Sequence, residues 1–345
     1  MDRKLRFAVA GIGGMGRAHI EGIKKNALAE LAAVFDINEE FVVKCAADCG
    51  LGKWYTDFDK MLAEEDIDIV IVCTPDQVHR DYTVKALKAG KHVLCEKPMA
   101  QTVEDCRAMV KAADETGMKL MIGQVCRKAP GFLKAKELVD SGYIGDLFFV
   151  ESEYAHDYSR IPGKGGWQWR TDPVLLRHPV IGGGCHAIDL LRWIAGDPSE
   201  VFAYANHKML TTWPVDDCTV AVMKFPDDVI GKVMCSIGCK RSYTMRTCLY
   251  GSKGTIICDN TSPDITVMRE QYGESGEFEG LRTEKVPVDI NNHNVASEIE
   301  ELIDCVINDK PVPTDGREGA STVAVGAAIV ESAAKGDKIA IKYDF

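Results

Sequence analysis

The chain has 345 residues, of which 46% are hydrophobic and 27% charged, a composition typical of a globular protein large enough for two domains. Its formal net charge of −11 argues against a surface for nucleic acid or an anionic membrane, because both need clustered basic side chains. No signal-peptide pattern or membrane-length apolar run is present, and the 13 cysteines lack paired zinc-site spacing. We therefore expect a cytoplasmic protein with reduced thiols and no metal site.

The first part of the chain alternates short apolar runs with helical patterns. The predicted strands are 5–10, 30–35, 67–74, 92–96 and 119–124, and the predicted helices begin at Gly16, near Asp81 and at Thr102. Strands that alternate with helices predict right-handed βαβ units and a parallel sheet. We assign residues 1–123 to this first domain.

After residue 124 the pattern changes. A helix near 130–141 is followed by a predicted strand over 144–155, a glycine-rich loop and a helix that begins near His186. Further strands are predicted at 201–209, 218–225, 230–239, 246–252, 254–260 and 338–343, and late helices at 293–309 and 318–336. Consecutive strands separated by turn signals predict an antiparallel sheet, so residues 124–345 form our second predicted domain.

The first strand leads into a glycine-rich turn, Gly11-Ile12-Gly13-Gly14-Met15-Gly16, which fits the dinucleotide-binding pattern G-x-G-x-x-G. Asp36 ends the second strand, 20 residues beyond Gly16. An acid at this distance is suited to accept hydrogen bonds from both ribose hydroxyls, and it would repel the 2′-phosphate of NADP. The loop and Asp36 therefore predict an NAD site.

Longer segments resemble one family. The runs CTPDQVHRDYTVKALKAGKHVLCEKPMA (73–100), QVCRKAPGFLKAKELVDSGYIGDL (124–147) and GGGCHAIDLLRWIAGD (182–197) are similar to the Gfo/Idh/MocA oxidoreductases. The resemblance implies an N-terminal Rossmann domain with a doubly wound parallel sheet. A C-terminal α/β domain with a large, open, mostly antiparallel sheet would follow, used for substrate binding and for a homodimer or homotetramer. It also implies an NAD(P)-dependent enzyme that acts on sugars, inositols or their derivatives.

The resemblance also implies roles for individual residues. Thr74, Pro75 and His79 would lie near the cofactor, and Glu96 and Lys97 at its nicotinamide end. A strand end is where open parallel sheets bind ligands, which suits the position of Lys97.

His186 matches the family histidine at the substrate, and it could take the hydroxyl proton as hydride leaves the same carbon. Asp189, on the same helical face, is expected to fix the histidine tautomer or bind substrate. The three glycines before His186 are expected to let the backbone approach a bound sugar. Many family members carry an acid four residues before this histidine, where this chain has Gly182. Either His186 and Lys97 share the proton transfer as catalytic residues, or an acid from elsewhere replaces the missing one, with Asp157 and Asp172 as candidates.

The substrate pocket is predicted from residue types that suit a carbohydrate, namely aromatic faces and charged hydrogen-bonding groups. The predicted residues are Arg127, Tyr154, Asp157, Trp167, Arg170, His186 and Asp189. We expect a dehydrogenase that oxidises a secondary ring hydroxyl of a sugar, glycoside or cyclic polyol to a ketone. One alternative is an NAD-dependent enzyme that cleaves glycosides through transient oxidation and elimination. Another is a non-catalytic nucleotide-sensing protein, because a fold alone does not establish activity.

Overall fold

A computed structural model describes residues 3–160, 168–291 and 293–345. The chain divides into two compact units, the first made of residues 1–124, 294–323 and 344–345, the second of residues 125–293 and 324–343. The sequence-based division instead put every residue after 123 into the second domain. Residues 294–323 belong to the first unit, and a close contact between Gly22 and Ile299 shows how they pack there. A Cβ at Gly22 would lie 2.6 Å from Cδ1 of Ile299, so that only a glycine allows the two helices to approach this closely.

The helices and strands are as follows. The strands are β1 (Leu5–Ala10), β2 (Ala29–Phe35), β3 (Ile69–Val72), β4 (His92–Glu96), β5 (Leu120–Gly123), β6 (Leu147–Ala155), β7 (Glu200–Asn206), β8 (Cys218–Lys224), β9 (Ile230–Ser236), β10 (Thr244–Gly251), β11 (Gly254–Asp259), β12 (Asp264–Tyr272), β13 (Phe278–Pro287) and β14 (Ile339–Ala340). The helices are α1 (Gly14–Lys25), α2 (Glu39–Cys49), α3 (Phe58–Glu64), α4 (His79–Lys88), α5 (Val103–Thr116), α6 (Pro130–Asp140), α7 (Pro179–Gly182), α8 (Cys185–Ala195), α9 (Val295–Ile307) and α10 (Gly316–Lys335). Among the described residues, no helix is long and apolar enough to cross a membrane.

The first unit contains a five-stranded sheet in the order β2-β1-β3-β4-β5, and all neighbouring strands are parallel. This confirms the predicted Rossmann sheet. Strand β3 is fully buried, as its continuous apolar sequence IVIV predicts for a strand covered on both faces. The chain leaves β1 toward β2 on one side and returns to β3 on the other. Ligands bind at such a reversal, beyond the carboxyl ends of the strands.

The second unit contains a nine-stranded sheet in the order β13-β12-β11-β10-β6-β9-β8-β7-β14. Neighbouring strands are antiparallel except β6 and β9, which are parallel, so the predicted mostly antiparallel sheet is confirmed. Strands β12 and β13 were not predicted, because their many charged and exposed residues interrupt the apolar alternation. Helix α8 packs against β6, and its residues 185–192 are all buried.

Candidate active site

The glycine-rich turn of the first unit has the shape that a dinucleotide needs. Gly11 has φ +92°, and a Cβ there would lie 2.6 Å from the backbone of Cys73, so that β1 and the end of β3 approach without a side chain between them. A Cβ at Gly16 would lie 2.0 Å from the Gly11 carbonyl oxygen. Gly13 and Gly14, by contrast, face open space at the N-terminus of α1. The free backbone N–H groups there fit a pyrophosphate.

Asp36 stands beside this turn, as the spacing predicts. One carboxylate oxygen accepts a hydrogen bond from the Ile12 backbone N–H at 2.8 Å, and the other accepts one from the Asn38 N–H at 2.9 Å. Each oxygen retains a lone pair for a ribose hydroxyl, since a carboxylate has about four acceptor sites. The residues therefore fit NAD.

Glu96, at the end of β4, is a buried carboxylate held by a residue that the sequence analysis missed. His19 Nε2 lies 2.9 Å from Glu96 Oε1, and the two residues are 0% and 4% exposed. Burial opposes ionisation, but the hydrogen bond to His19 and the charge of Lys97 outweigh it and lower the pKa of Glu96 to about 2. Glu298 of α9 joins the group, with ligand atoms of all three residues within 4.8 Å. The residue that precedes Lys97 in the chain is therefore an ionised carboxylate held in place by His19.

The imidazole of His79 lies between the backbone that follows β3 and the backbone that follows β4, near Lys97. Its Nδ1 lies 3.0 Å from the Pro98 carbonyl oxygen and its Nε2 lies 2.9 Å from the Thr74 carbonyl oxygen. Both partners can only accept, so only the imidazolium form can donate to both. Burial opposes this charge, but Cys95, Asp76 and the Thr74 carbonyl raise the pKa of His79 to about 9. The ring nitrogens of His79 thus contact the backbone on both sides.

Lys97 is half-buried, and the Glu96 carboxylate accepts a hydrogen bond from its backbone N–H at 3.2 Å. Within the described part of the chain, its ammonium group makes no hydrogen bond or ion pair. The side chain is therefore available for a bound molecule, and the predicted catalytic role stays a prediction.

In the second unit, His186 lies in the first turn of α8 and is 2% exposed. The three glycines before it are packed against protein atoms. A Cβ at Gly183 would lie 2.5 Å from the Tyr154 ring, and one at Gly184 would lie 2.6 Å from the Val180 carbonyl oxygen. At Gly182 it would lie 2.2 Å from a guanidinium nitrogen of Arg177. Each glycine therefore makes room for a neighbouring residue, whereas the sequence analysis assigned that room to a sugar.

Two side-chain contacts join α8 to the 3-10 turn at Val125–Lys128. The Cys126 sulfur lies 3.1 Å from Nδ1 of His186, and both residues are buried. Arg127 donates two hydrogen bonds, of 2.8 and 2.7 Å, to the carboxylate of Asp189. Arg127 and Asp189 were both predicted to bind substrate, and Asp189 also to fix the tautomer of His186. In the structure they bind each other, while Cys126 contacts the histidine.

Aromatic and cationic side chains cluster in the same unit. The Tyr154 hydroxyl lies 2.8 Å from that of Tyr158, and the guanidinium of Arg170 lies 5.6 Å from the Tyr158 ring centre and 4.8 Å from that of Trp169. Arg177, 5% exposed, lies 5.1 Å from the same Trp169 centre. Burial raises the pKa of Tyr154 well above its usual value, so the phenol stays a hydrogen-bond donor.

The acids considered as replacements at Gly182 have other partners. Asp157 accepts hydrogen bonds from the backbone and hydroxyl of Ser159, which lower the pKa of its carboxyl group. Asp172 accepts from the backbone N–H groups of Val174 and Leu175. The predicted substrate residue Trp167 lies outside the described residues.

Three contacts were missed by the sequence analysis. His19 lies one helical turn after Gly16, which places it below the glycine turn, and that spacing was a usable signal. Cys126 and Arg177 carried no such signal, because their contacts depend on how distant segments pack.

The chain is similar to known proteins along nearly all of its length. The family profile for the Gfo/Idh/MocA oxidoreductase family, NAD-binding Rossmann fold, matches residues 5–124, and that for the Gfo/Idh/MocA C-terminal domain matches residues 132–257. The chain is 28% identical to 1,5-anhydro-D-fructose reductase of Ensifer adhaerens, covering 98% of both chains. It is 26% identical to myo-inositol 2-dehydrogenase of Thermotoga maritima, covering 95% of this chain and 96% of that one.

The fold is also found in solved structures. A levoglucosan dehydrogenase in complex with NADH and levoglucosan superposes with a TM-score of 0.88 at 22% identity. The match covers 99% of this chain and 100% of that one. The likeness extends over both units of the chain.

Proposed function

The chain belongs to the Gfo/Idh/MocA family of NAD-dependent oxidoreductases, and we propose that it oxidises a secondary ring hydroxyl of a sugar, glycoside or cyclic polyol to a ketone. The observation that carries the proposal is the buried histidine His186, on the buried helix α8, with the Tyr154 ring packed against Gly183 three residues before it. The two relatives named above act on a sugar derivative and on an inositol, which supports the substrate class.

The first unit holds the cofactor. NAD, when bound, supplies the nicotinamide ring that accepts hydride. The N-terminus of α1 binds the pyrophosphate, and Asp36 binds the ribose hydroxyls. The ammonium group of Lys97 donates a hydrogen bond to the bound molecule. The backbone on either side of Lys97 is held by Glu96, which accepts from the Lys97 N–H, and by His79, which contacts the Pro98 carbonyl oxygen.

His186 accepts the hydroxyl proton in the second unit, with Lys97 as the second candidate for this role. A general base must be held in place and have one ring nitrogen without a proton. The Cys126 contact and the buried Arg127–Asp189 pair fix the imidazole. Tyr154 and Arg170 supply the hydrogen-bond donors that a hydroxyl-rich ring needs.

The test uses purified protein, added NAD and a panel of inositols, free hexoses, O-glycosides and C-glycosides, with NADH formation as the readout. His186→Asn keeps a nitrogen where Nδ1 stands and removes the base, while Lys97→Ala removes the ammonium group. Lys111→Ala, an exposed position on α5, is the matched control. NADH that forms with one class of substrate, and is lost in both site variants only, would support the proposal.

The same experiment separates the alternatives. Release of an aglycone without net NADH would replace the proposal by glycoside cleavage through transient oxidation. Cofactor binding with no turnover across the panel would favour a nucleotide sensor.

We further infer that the second unit forms a homodimer or homotetramer through its sheet. Tyr204, Val222 and Ile230 lie on one face of β7, β8 and β9 and are 72%, 47% and 56% exposed. Exposed apolar patches of this kind mark interaction surfaces. Light scattering would show the oligomer, and Val222→Lys should dissociate it.

A cytoplasmic location is part of the same proposal. All 13 cysteines are free thiols in the structure, which suits a reducing compartment. Fractionation of the source cells would test it.

A further inference from the structure

The carboxyl edge of the parallel sheet carries a buried side-chain amide, that of Gln124. This residue directly follows β5 and is 2% exposed. Within residues 3–160, 168–291 and 293–345, its side-chain oxygen Oε1 has no hydrogen-bond partner. A buried carbonyl oxygen without a donor is destabilising, and in a native protein it indicates that a bound molecule supplies the donor.

The strand register places Gln124 beside Lys97. Strands β4 and β5 are parallel neighbours, and their last paired residues are Glu96 and Gly123. Lys97 and Gln124 come next in the two strands, so their backbones begin about 4.8 Å apart, the usual spacing of neighbouring strands. On the other side of β4 lies β3, followed by Thr74, whose buried hydroxyl also has no hydrogen-bond partner among the described residues. Both oxygens lie at the edge where parallel sheets bind ligands.

The order of the strands indicates which part of NAD reaches Gln124. Asp36 at the end of β2 fits the adenosine ribose, and the N-terminus of α1, after β1, fits the pyrophosphate. From β2 the sheet continues in the order β1-β3-β4-β5. A dinucleotide that follows this edge therefore brings its nicotinamide last, toward β4 and β5. The carboxamide of that ring carries an NH2 group, which is the kind of donor that Oε1 needs.

We propose that Gln124 binds the carboxamide of the nicotinamide ring, with Oε1 accepting a hydrogen bond from the carboxamide NH2. The contact fixes the rotation of the ring about its bond to the ribose, and with it the face of C4 that is turned toward the substrate. The inference rests on the part of the proposed function that places NAD in the first unit, and not on the identity of the sugar.

The first measurement is cofactor binding by calorimetric titration of the full-length protein without substrate. It compares NAD with two analogues. In 3-acetylpyridine adenine dinucleotide a methyl group replaces the NH2, whereas thionicotinamide adenine dinucleotide keeps it. We expect the wild-type protein to bind the acetylpyridine analogue about tenfold more weakly than the other two, because one hydrogen bond is lost. Gln124→Leu should weaken binding of NAD and of the thio analogue alike and nearly abolish the difference from the acetylpyridine analogue.

The second measurement is thermal unfolding, with Thr83→Val as the matched control. Thr83 on α4 is 0% exposed, and its hydroxyl also has no hydrogen-bond partner in the described part of the chain. Both substitutions remove such a group and should raise the melting temperature of the cofactor-free protein. Only Gln124→Leu should reduce the further increase that NAD produces, since this increase depends on affinity. Gln124→Met, with an unbranched side chain, serves if the leucine variant does not fold.

The outcomes separate the inference from the proposed function. A wild-type protein that binds NAD and the acetylpyridine analogue equally would overturn the role of Gln124, and this comparison needs no variant. So would a Gln124→Leu variant that keeps the wild-type difference. Failure of the wild-type protein to bind NAD would reject the inference together with the cofactor site. Discrimination that depends on Gln124, in a protein that oxidises no sugar, would support the inference and reject the proposed oxidation.

Discussion

His79 is predicted to make the stability of the first unit depend on pH in the alkaline range. Its two ring nitrogens donate to the carbonyl oxygens of Thr74 and Pro98, and the ring is 1% exposed. Deprotonation of His79 removes one N–H donor, so that the carbonyl oxygen of either Thr74 or Pro98 loses its hydrogen bond from the ring. Replacement by glutamine, which cannot be charged, removes the titration.

The magnitude follows from the pKa. In the folded protein the pKa of His79 is raised from 6.5 to about 9, which corresponds to about 3 kcal/mol in favour of the folded state. Because the folded pKa is the higher one, this contribution is fully present below pH 6.5. It decreases as the pH rises and is lost as the pH passes through about 9.

The assay is denaturant unfolding of the wild-type protein and of His79→Gln at about pH 6 and about pH 9.5. The difference in unfolding free energy between them should shrink by about 3 kcal/mol at the higher pH. His92→Gln gives a contrast with the opposite sign. Burial and Lys119 lower the pKa of His92, and its Nδ1 accepts from the Lys119 N–H, so its contribution is lost as the pH falls. A wild-type-to-His79→Gln difference that stays constant with pH would refute the reasoning.

Three further predictions concern the two units separately. Gly11→Ala places a Cβ 2.6 Å from the Cys73 backbone at a positive φ, and calorimetric titration should show NAD binding weakened by at least about tenfold. Asp36→Ala should weaken NAD binding by about tenfold and leave NADP binding unchanged or stronger, because the carboxylate serves only the unphosphorylated ribose. Arg127→Met should lower the unfolding free energy by about 3 kcal/mol, because the buried Asp189 loses two hydrogen bonds while Arg192, a further cationic neighbour, lies more distant at 3.9 Å, and adding Asp189→Leu should recover part of that loss. Equal losses in the single and double variants would show that the pair acts through packing alone.

The cofactor side of the protein was predictable because its chemistry is local in sequence. A tight turn, a close helix-to-strand contact and a ribose acceptor each require a particular residue at a fixed spacing, as Gly11, Gly16 and Asp36 show. The antiparallel sheet was predictable as a class from neighbouring strands. Its charged strands β12 and β13 were not, since apolar alternation was the only signal in use.

The substrate side was predictable only in part, because its contacts join residues far apart in the chain. The helical pattern placed His186 and Asp189 on one face of α8, as observed. Their partners, Cys126 and Arg127, lie about sixty residues earlier and have no periodic relation to them. Arg127 and Asp189 were both predicted to bind substrate, and the structure adds that they are hydrogen-bonded to each other.

Gly182 shows why the substrate cannot be transferred from relatives that have an acid at this position. The position beside Gly182 is filled by the Arg177 guanidinium, so a carboxylate side chain would not fit unless the arginine moved. A carboxylate accepts a hydrogen bond from a hydroxyl, whereas the guanidinium that stands beside Gly182 in this chain can only donate. Relatives that carry the acid therefore offer a substrate a hydrogen-bond acceptor that Gly182 does not supply.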